Sequence, residues 1–288
     1  MSGIVATFGD SHFAGSEIEF EGQDMCYHKC FSAKLAERLN YSSVNYAYPG
    51  GSNYWSLNEF NNFIKDWNGE KSLVIFGITD SARTFFWDDS YDVPVAWHAW
   101  PGRIDFKSSI FDRVSDEMKQ SEKHKRFLSL YLNFLKENSI EQLDMKTFDI
   151  CSHVKKECEK RSIPFLIVSG TMAVPGLWTK EFNGSNFFKF DELETYNKKE
   201  YYKFKTMRKS SRCKSIDESE KISVAPWQST YWYWAQHSKT YKEFVSKGER
   251  KSYNHASEET HEEFAEVLFD YIKEQNVLQL DTSVTLSL

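Results

Sequence analysis

Three short, largely apolar runs in this chain each close on a glycine: residues 4–8 before Gly9, 72–76 before Gly77, and 165–168 shortly before Gly170. A strand that is apolar at nearly every position, not at alternate ones, is covered on both faces. That is the habit of parallel strands lying between layers of helix. A further strand is expected at 43–47, broken by Pro49-Gly50-Gly51. Segments of helical period alternate with these runs. Phe31, Leu35 and Leu39 mark 28–39, and Leu57, Phe60, Phe63 and Ile64 mark 56–67. Two more helices are expected at 115–136 and 142–159, and a last one at 257–275, with Phe264, Val267, Leu268, Tyr271 and Ile272 on its apolar side. Alternating strand and helix predicts an α/β/α sandwich around a mostly parallel sheet of about five strands.

Composition removes several function classes. The formal net charge is -6, with acidic and basic residues interspersed, so the chain lacks the footprint of a nucleic-acid binder. The basic stretch 205–214 is short and reads as a solvated loop. Five cysteines in odd number and loose spacing do not make a disulfide framework, and Cys26 and Cys30 lack a second ligand pair for structural zinc. Neither a signal peptide nor a membrane-length apolar run is evident, which places the chain in the cytoplasm by default, with virion association or non-classical export left open. No cofactor is called for.

The strand ends carry the chemistry. In an open parallel sheet the carboxyl edge forms the binding crevice, and the first strand ends in Gly9-Asp10-Ser11-His12. A serine there is a weak nucleophile unless a base takes its proton and fixed donors meet the charge that develops on the substrate oxygen. His255, directly before the last helix, is the candidate base. Gly50 offers an unobstructed backbone N–H, and Ser11 offers its own. Asp10 has the simpler role of capping nearby backbone donors and holding the serine turn. Arg83 either pairs with Asp80 or Asp88 or binds an anionic substrate group, with pairing favoured. His12 and His98 are substrate-side candidates. His261, inside the last helix, is expected to pack or hydrogen-bond there, and Asn254 or Ser257 to cap that helix.

Taken together, these blocks resemble those of the SGNH hydrolases, the GDSL-type esterases and lipases. The first block is Gly9-Asp10-Ser11-His12. The second runs from Asn45 to Gly50, with Ser52-Asn53 just beyond. The third is Gly77-Ile78-Thr79-Asp80, and the last is His255-Ala256-Ser257-Glu258-Glu259-Thr260-His261. The resemblance implies a flavodoxin-like α/β/α fold, Ser11 as nucleophile, His255 as base, and Ser11 and Gly50 N–H groups as oxyanion donors. Two positions depart from the pattern. Thr79 stands where the family places an Asn donor; its hydroxyl is shorter but still able to donate. Ser252 stands where the family places the triad Asp, three residues before the histidine. A Ser–His dyad, a carboxylate from elsewhere, and a site reduced to binding are the three explanations. Asp10, His12, Asn53, Arg83 and Ser252 complete the candidate set as substrate or support residues.

The expected activity is hydrolysis of a small ester, with an O-acetylated or otherwise acylated carbohydrate as the favoured substrate. The alternative is a noncatalytic carbohydrate-binding or structural assembly protein on a degenerate version of the same fold. Residues 1–288 are read as one domain. Residues 80–114 read as a long aromatic loop or lid, and 171–250 as an aromatic-rich inserted cap, with the fifth strand near 221–225.

Overall fold

The computed structural model describes residues 3–16, 18, 26–88, 95–99, 122–170, 187–188, 231, 235, 238 and 255–278. Strands β1 (Gly3–Phe8), β2 (Tyr41–Asn45), β3 (Ser72–Ile78), β6 (Phe165–Ser169) and β7 (Phe187–Phe188) form one sheet in the order β2-β1-β3-β6-β7. Every pairing in it is parallel. The order 2-1-3-4-5, counted along the sheet's own strands, is the doubly wound one.

The apolar runs explain the layering. Along β3, Leu73 and Ile75 enter one core while Val74, Phe76 and Ile78 enter the other. β6 divides in the same way, with Leu166 and Val168 on the first side and Phe165 and Ile167 on the second. A period of two with both faces apolar requires helices on both faces. Helix α1 (Phe31–Leu39) covers the first face together with the last helix, whose Phe264, Ala265, Leu268 and Ile272 are buried. Helix α2 (Asn53–Asp66) covers the second through Phe60, Phe63 and Ile64. Between them in sequence lie α3 (Glu122–Glu137) and α4 (Ile140–Lys160), and α4 adds Ile150, Cys151, Val154 and Cys158 to the second face. Helix α5 (Glu258–Glu274) is the last helix. It is clamped to α1 by Lys34 on Glu258 at 3.1 Å and Arg38 on Glu262 at 2.5 Å. Among the described residues, no helix is long and apolar enough to cross a membrane.

The sequence expectations need three corrections. Residues 80–114 are not wholly irregular. Strands β4 (Thr84–Asp88) and β5 (Val95–Ala99) pair antiparallel as a hairpin. Their Thr, Val, Phe and Trp content suits strands, and the Asp/Ser/Pro-rich sequence between them hid the pair. The fifth strand of the sheet is Phe187–Phe188, while 221–225 lies outside the described residues. Helix α2 begins at Asn53, three residues before the expected start, because the Ser52 hydroxyl accepts from the Trp55 N–H at 3.2 Å and caps it. Within 171–250, Tyr231 and Ala235 are buried in the same core as Phe13 and Phe31. The rest of that segment, apart from 187–188 and 238, lies outside the described residues.

Candidate active site

The chain leaves β1 through Gly9 and turns at once. Asp10 C=O accepts from the N–H groups of Phe13 and Ala14, both at 3.0 Å, and Ser11 C=O accepts from Ser16 N–H at 3.1 Å. The turn is fixed from below by the Phe13 ring. That ring fills a space left by three strand-end glycines: a Cβ on Gly9, Gly77 or Gly170 would lie under 3.0 Å from it. Gly77→Ala is therefore expected to destabilise the fold by about 1–3 kcal/mol through overpacking. It should also lower whatever activity depends on Ser11. Thermal melting of the purified variant checks the first effect, and an unchanged midpoint would show that the Phe13 ring yields.

Asp10 is fully buried and holds the turn by its carboxylate. Oδ1 accepts from His12 N–H at 3.1 Å. Oδ2 accepts from the Thr79 hydroxyl at 2.9 Å and from the Arg83 guanidinium at 3.0 Å. Burial alone would raise its pKa, but Arg83, the Thr79 hydroxyl and the His12 N–H outweigh it and leave the carboxyl below its ordinary value. One carboxylate thus ties the serine turn to the end of β3 and to the segment beyond it. Arg83 pairs with Asp10, a partner not expected from sequence.

The Thr79 hydroxyl is placed differently from the expectation, and Asn53 takes the support role of the two open to it. The single hydroxyl hydrogen of Thr79 goes to Asp10, so it does not face a substrate oxygen. Asn53, buried at the start of α2, brackets the Thr79 main chain: its Oδ1 accepts from Thr79 N–H at 2.8 Å and its Nδ2 donates to Thr79 C=O at 2.9 Å. Asn53 Nδ2 also donates to Thr147 Oγ1 on α4 at 3.2 Å. Asn53 is a brace for the third block.

Gly50 lies in the corner after β2 with φ +75°, a conformation that only glycine adopts without strain. Tyr48 N–H donates to Gly9 C=O at 3.1 Å, and Gly51 N–H to Tyr48 C=O at 2.7 Å, so this corner is stitched to the first block. Among the described residues nothing accepts from the N–H of Ser11 or of Gly50. Beside the corner stands a row of aromatic rings. Tyr48, 40% exposed, lies 5.8 Å from Trp55, which meets Phe85 edge-on at 5.5 Å.

His255 arrives from the other end of the chain. Ser257 caps α5 by accepting from Thr260 N–H at 3.2 Å, which sets the helix start and the two residues before it. His255 Nε2 lies 2.7 Å from Ser11 Oγ, a hydrogen bond spanning 244 positions in sequence. Ser252 and Asn254 lie outside the described residues, as do the side chains of Asp88 and His98. His12 is close by, 6% exposed, with its ring centroid 4.5 Å from that of His255. Burial first, then the nearby His255, Arg83 and His261 charges, hold His12 well below an ordinary histidine, and only Asp10 opposes them. His261 is buried in α5 and accepts from Phe31 N–H at 3.2 Å through Nδ1, as its place inside the helix suggested. The same nitrogen lies 3.0 Å from the Tyr231 hydroxyl. Tyr231 was not singled out for any role, and its place in a run of aromatics gave no signal of one.

The structure thus brings a serine and a histidine into hydrogen-bond contact at the carboxyl edge of a doubly wound sheet. No family model and no curated protein matches the sequence. Among solved structures the chain is similar to TesA, at 10% identity over 94% of this chain and 99% of that one, with a TM-score of 0.42. It is also similar to the psychrotrophic esterase EstA from Pseudoalteromonas sp., at 10% identity over 95% and 98%, with a TM-score of 0.39. A third similar structure is AlinE4, a SGNH-hydrolase family esterase, at 15% identity over 64% and 68%, with a TM-score of 0.31. Likeness at this level says nothing of what the present chain acts on.

Proposed function

We propose that this protein is a serine-dependent ester hydrolase. The observation that carries the reading is the 2.7 Å contact between His255 Nε2 and Ser11 Oγ. At that distance the imidazole accepts the hydroxyl proton as Oγ bonds to the acyl carbon. The carbonyl oxygen becomes an oxyanion, and the free N–H groups of Ser11 and Gly50 are its donors. His255 then returns the proton to the departing alcohol, which leaves the acyl group on Ser11. Water enters, gives its proton to His255, attacks the same carbon and releases the acid. Thr79 and Asn53 act through the main chain and Asp10, and Arg83 holds Asp10. The scheme needs no metal or organic cofactor.

The substrate proposed is a short-chain ester of a carbohydrate. The support is the row Tyr48–Trp55–Phe85 beside the Gly50 corner, since part-exposed rings suit the apolar face of a sugar. Residues 1–288 are taken as one unit, because Tyr231 and Ala235 pack into the core under Ser11.

Reaction with a fluorophosphonate, followed by mass spectrometry, tests the chemistry. The parent is expected to gain one adduct, on the peptide containing Ser11, and to hydrolyse p-nitrophenyl acetate. Ser11→Ala is expected to do neither. A folded parent that takes no adduct and releases no p-nitrophenol would overturn the hydrolase reading in favour of a binding protein.

A further inference from the structure

The described chemistry leaves one group in the site without a task. His12 directly follows the proposed nucleophile, is 6% exposed, and its Nδ1 is sealed from solvent with no hydrogen-bond partner among the described residues. A buried nitrogen left unpartnered is uncommon in folded proteins and calls for a reason.

We infer that His12 is a positioning residue for His255: its ring face holds the neighbouring imidazole in the plane that aims Nε2 at Ser11 Oγ. This inference rests on the reading of Ser11 and His255 as nucleophile and base. The two rings lie 4.5 Å apart at an interplanar angle of 36°, a tilted ring-on-ring contact. His12 is itself held on its other sides. Its backbone N–H donates to Asp10 Oδ1 at 3.1 Å, and its ring meets Tyr231 nearly edge-on, with centroids 6.3 Å apart and an angle of 82°. Tyr231 is fully buried and hydrogen-bonded to His261 on α5, the helix that begins just after His255. A continuous backing therefore runs from His255 through His12 and Tyr231 to His261. It returns to α5 within that helix's first turn.

The unpartnered Nδ1 fits this role. A proton placed there would be a buried N–H with nothing to receive it. The groups facing His12 are His255, Asp10, Arg83 and His261, and burial with the three bases among them outweighs the one acid. The ring is thereby kept uncharged. During the reaction His255 carries a positive charge, and a neutral aromatic face beside it favours that state, whereas a second cation would oppose it.

The test compares His12→Ala with His12→Phe, which restores the ring but not the nitrogens. With p-nitrophenyl acetate, His12→Ala is expected to lose about tenfold or more in kcat with KM within twofold. His12→Phe is expected to recover to within about threefold of the parent. A His12→Ala enzyme within twofold of the parent overturns the inference, and so does a His12→Phe enzyme as slow as His12→Ala. Crystal structures of the two variants give a readout that does not depend on turnover. The Ser11–His255 contact should open beyond hydrogen-bond range in His12→Ala and stay near its 2.7 Å in His12→Phe. A contact unchanged in His12→Ala overturns the inference even if the parent proves to be no esterase. An inactive parent whose contact opens in His12→Ala upholds the inference and removes only the hydrolase reading.

Discussion

His255→Ala is expected to lower p-nitrophenyl acetate kcat on the order of 10⁴- to 10⁶-fold while leaving the melting temperature close to that of the parent. The magnitude follows from the division of labour. Without the imidazole, Ser11 must attack as a neutral hydroxyl, and the alcohol must leave without a proton donor. The fold should survive because His255 is only half-buried and precedes α5, whose cap is Ser257. Ser11→Ala should fall to a similar level, and the double variant should fall no further, since the two groups act as one unit. Effects that instead multiplied would show that the two side chains work independently, and the pair would not be a catalytic one. Substituting His261, which is buried and bonded to Phe31 and Tyr231, should act mainly on stability.

Asp10→Ala should produce the largest loss of stability. It removes the acceptor for His12 N–H, the Thr79 hydroxyl and Arg83 in a single change. The Arg83 side chain is only 15% exposed, so its charge would lose a partner at 3.0 Å in a site from which water is mostly excluded. Breaking a buried pair from one side costs about 3–5 kcal/mol, which for a chain of this size corresponds to a drop of roughly 10 °C in Tm. Thermal melts of Asp10→Ala, Arg83→Met and the double variant separate the pair from its parts. The double variant should be less damaged than the sum, because it buries no unmatched charge. A melting point within 2 °C of the parent for Asp10→Ala would mean that the pair is not what holds the turn.

The same pair sets an acid limit. The folded-state pKa of Asp10 lies below its ordinary value of 3.8. Ionised Asp10 therefore favours the folded state, fully so above about pH 4, and this contribution is lost as pH falls through the folded pKa. The stability gap between parent and Asp10→Asn is expected to close over that acid range.

The parallel core was legible because burial on both faces leaves a signature that does not depend on partners. Residues 4–8, 72–76 and 165–168 are apolar nearly throughout, and each became a strand of the main sheet. The meeting of Ser11 and His255 was legible from the blocks at the two ends of the chain. The task of the Thr79 hydroxyl and the partners of Asn53 and Arg83 were not. Each was read from what its functional group is able to do, and each is decided by which neighbour reaches it first. Asp10 takes the hydrogen of Thr79 and the charge of Arg83, and the Thr79 main chain occupies both ends of the Asn53 amide. Such assignments depend on distances between segments that lie far apart in sequence. The β4–β5 hairpin was missed for a related reason: Thr84–Asp88 and Val95–Ala99 are too short and too irregular in hydropathy to stand out without the partner strand.

The Phe13 ring seated among Gly9, Gly77 and Gly170 bears on how the site moves. Three strands of the sheet end against one side chain, and that side chain lies two residues from the reactive hydroxyl. The turn cannot hinge open without first withdrawing the ring from between the strand ends, which means parting the sheet itself. Motion at this edge of the sheet is thus expected in the walls around Ser11, which keeps one address while its surroundings change.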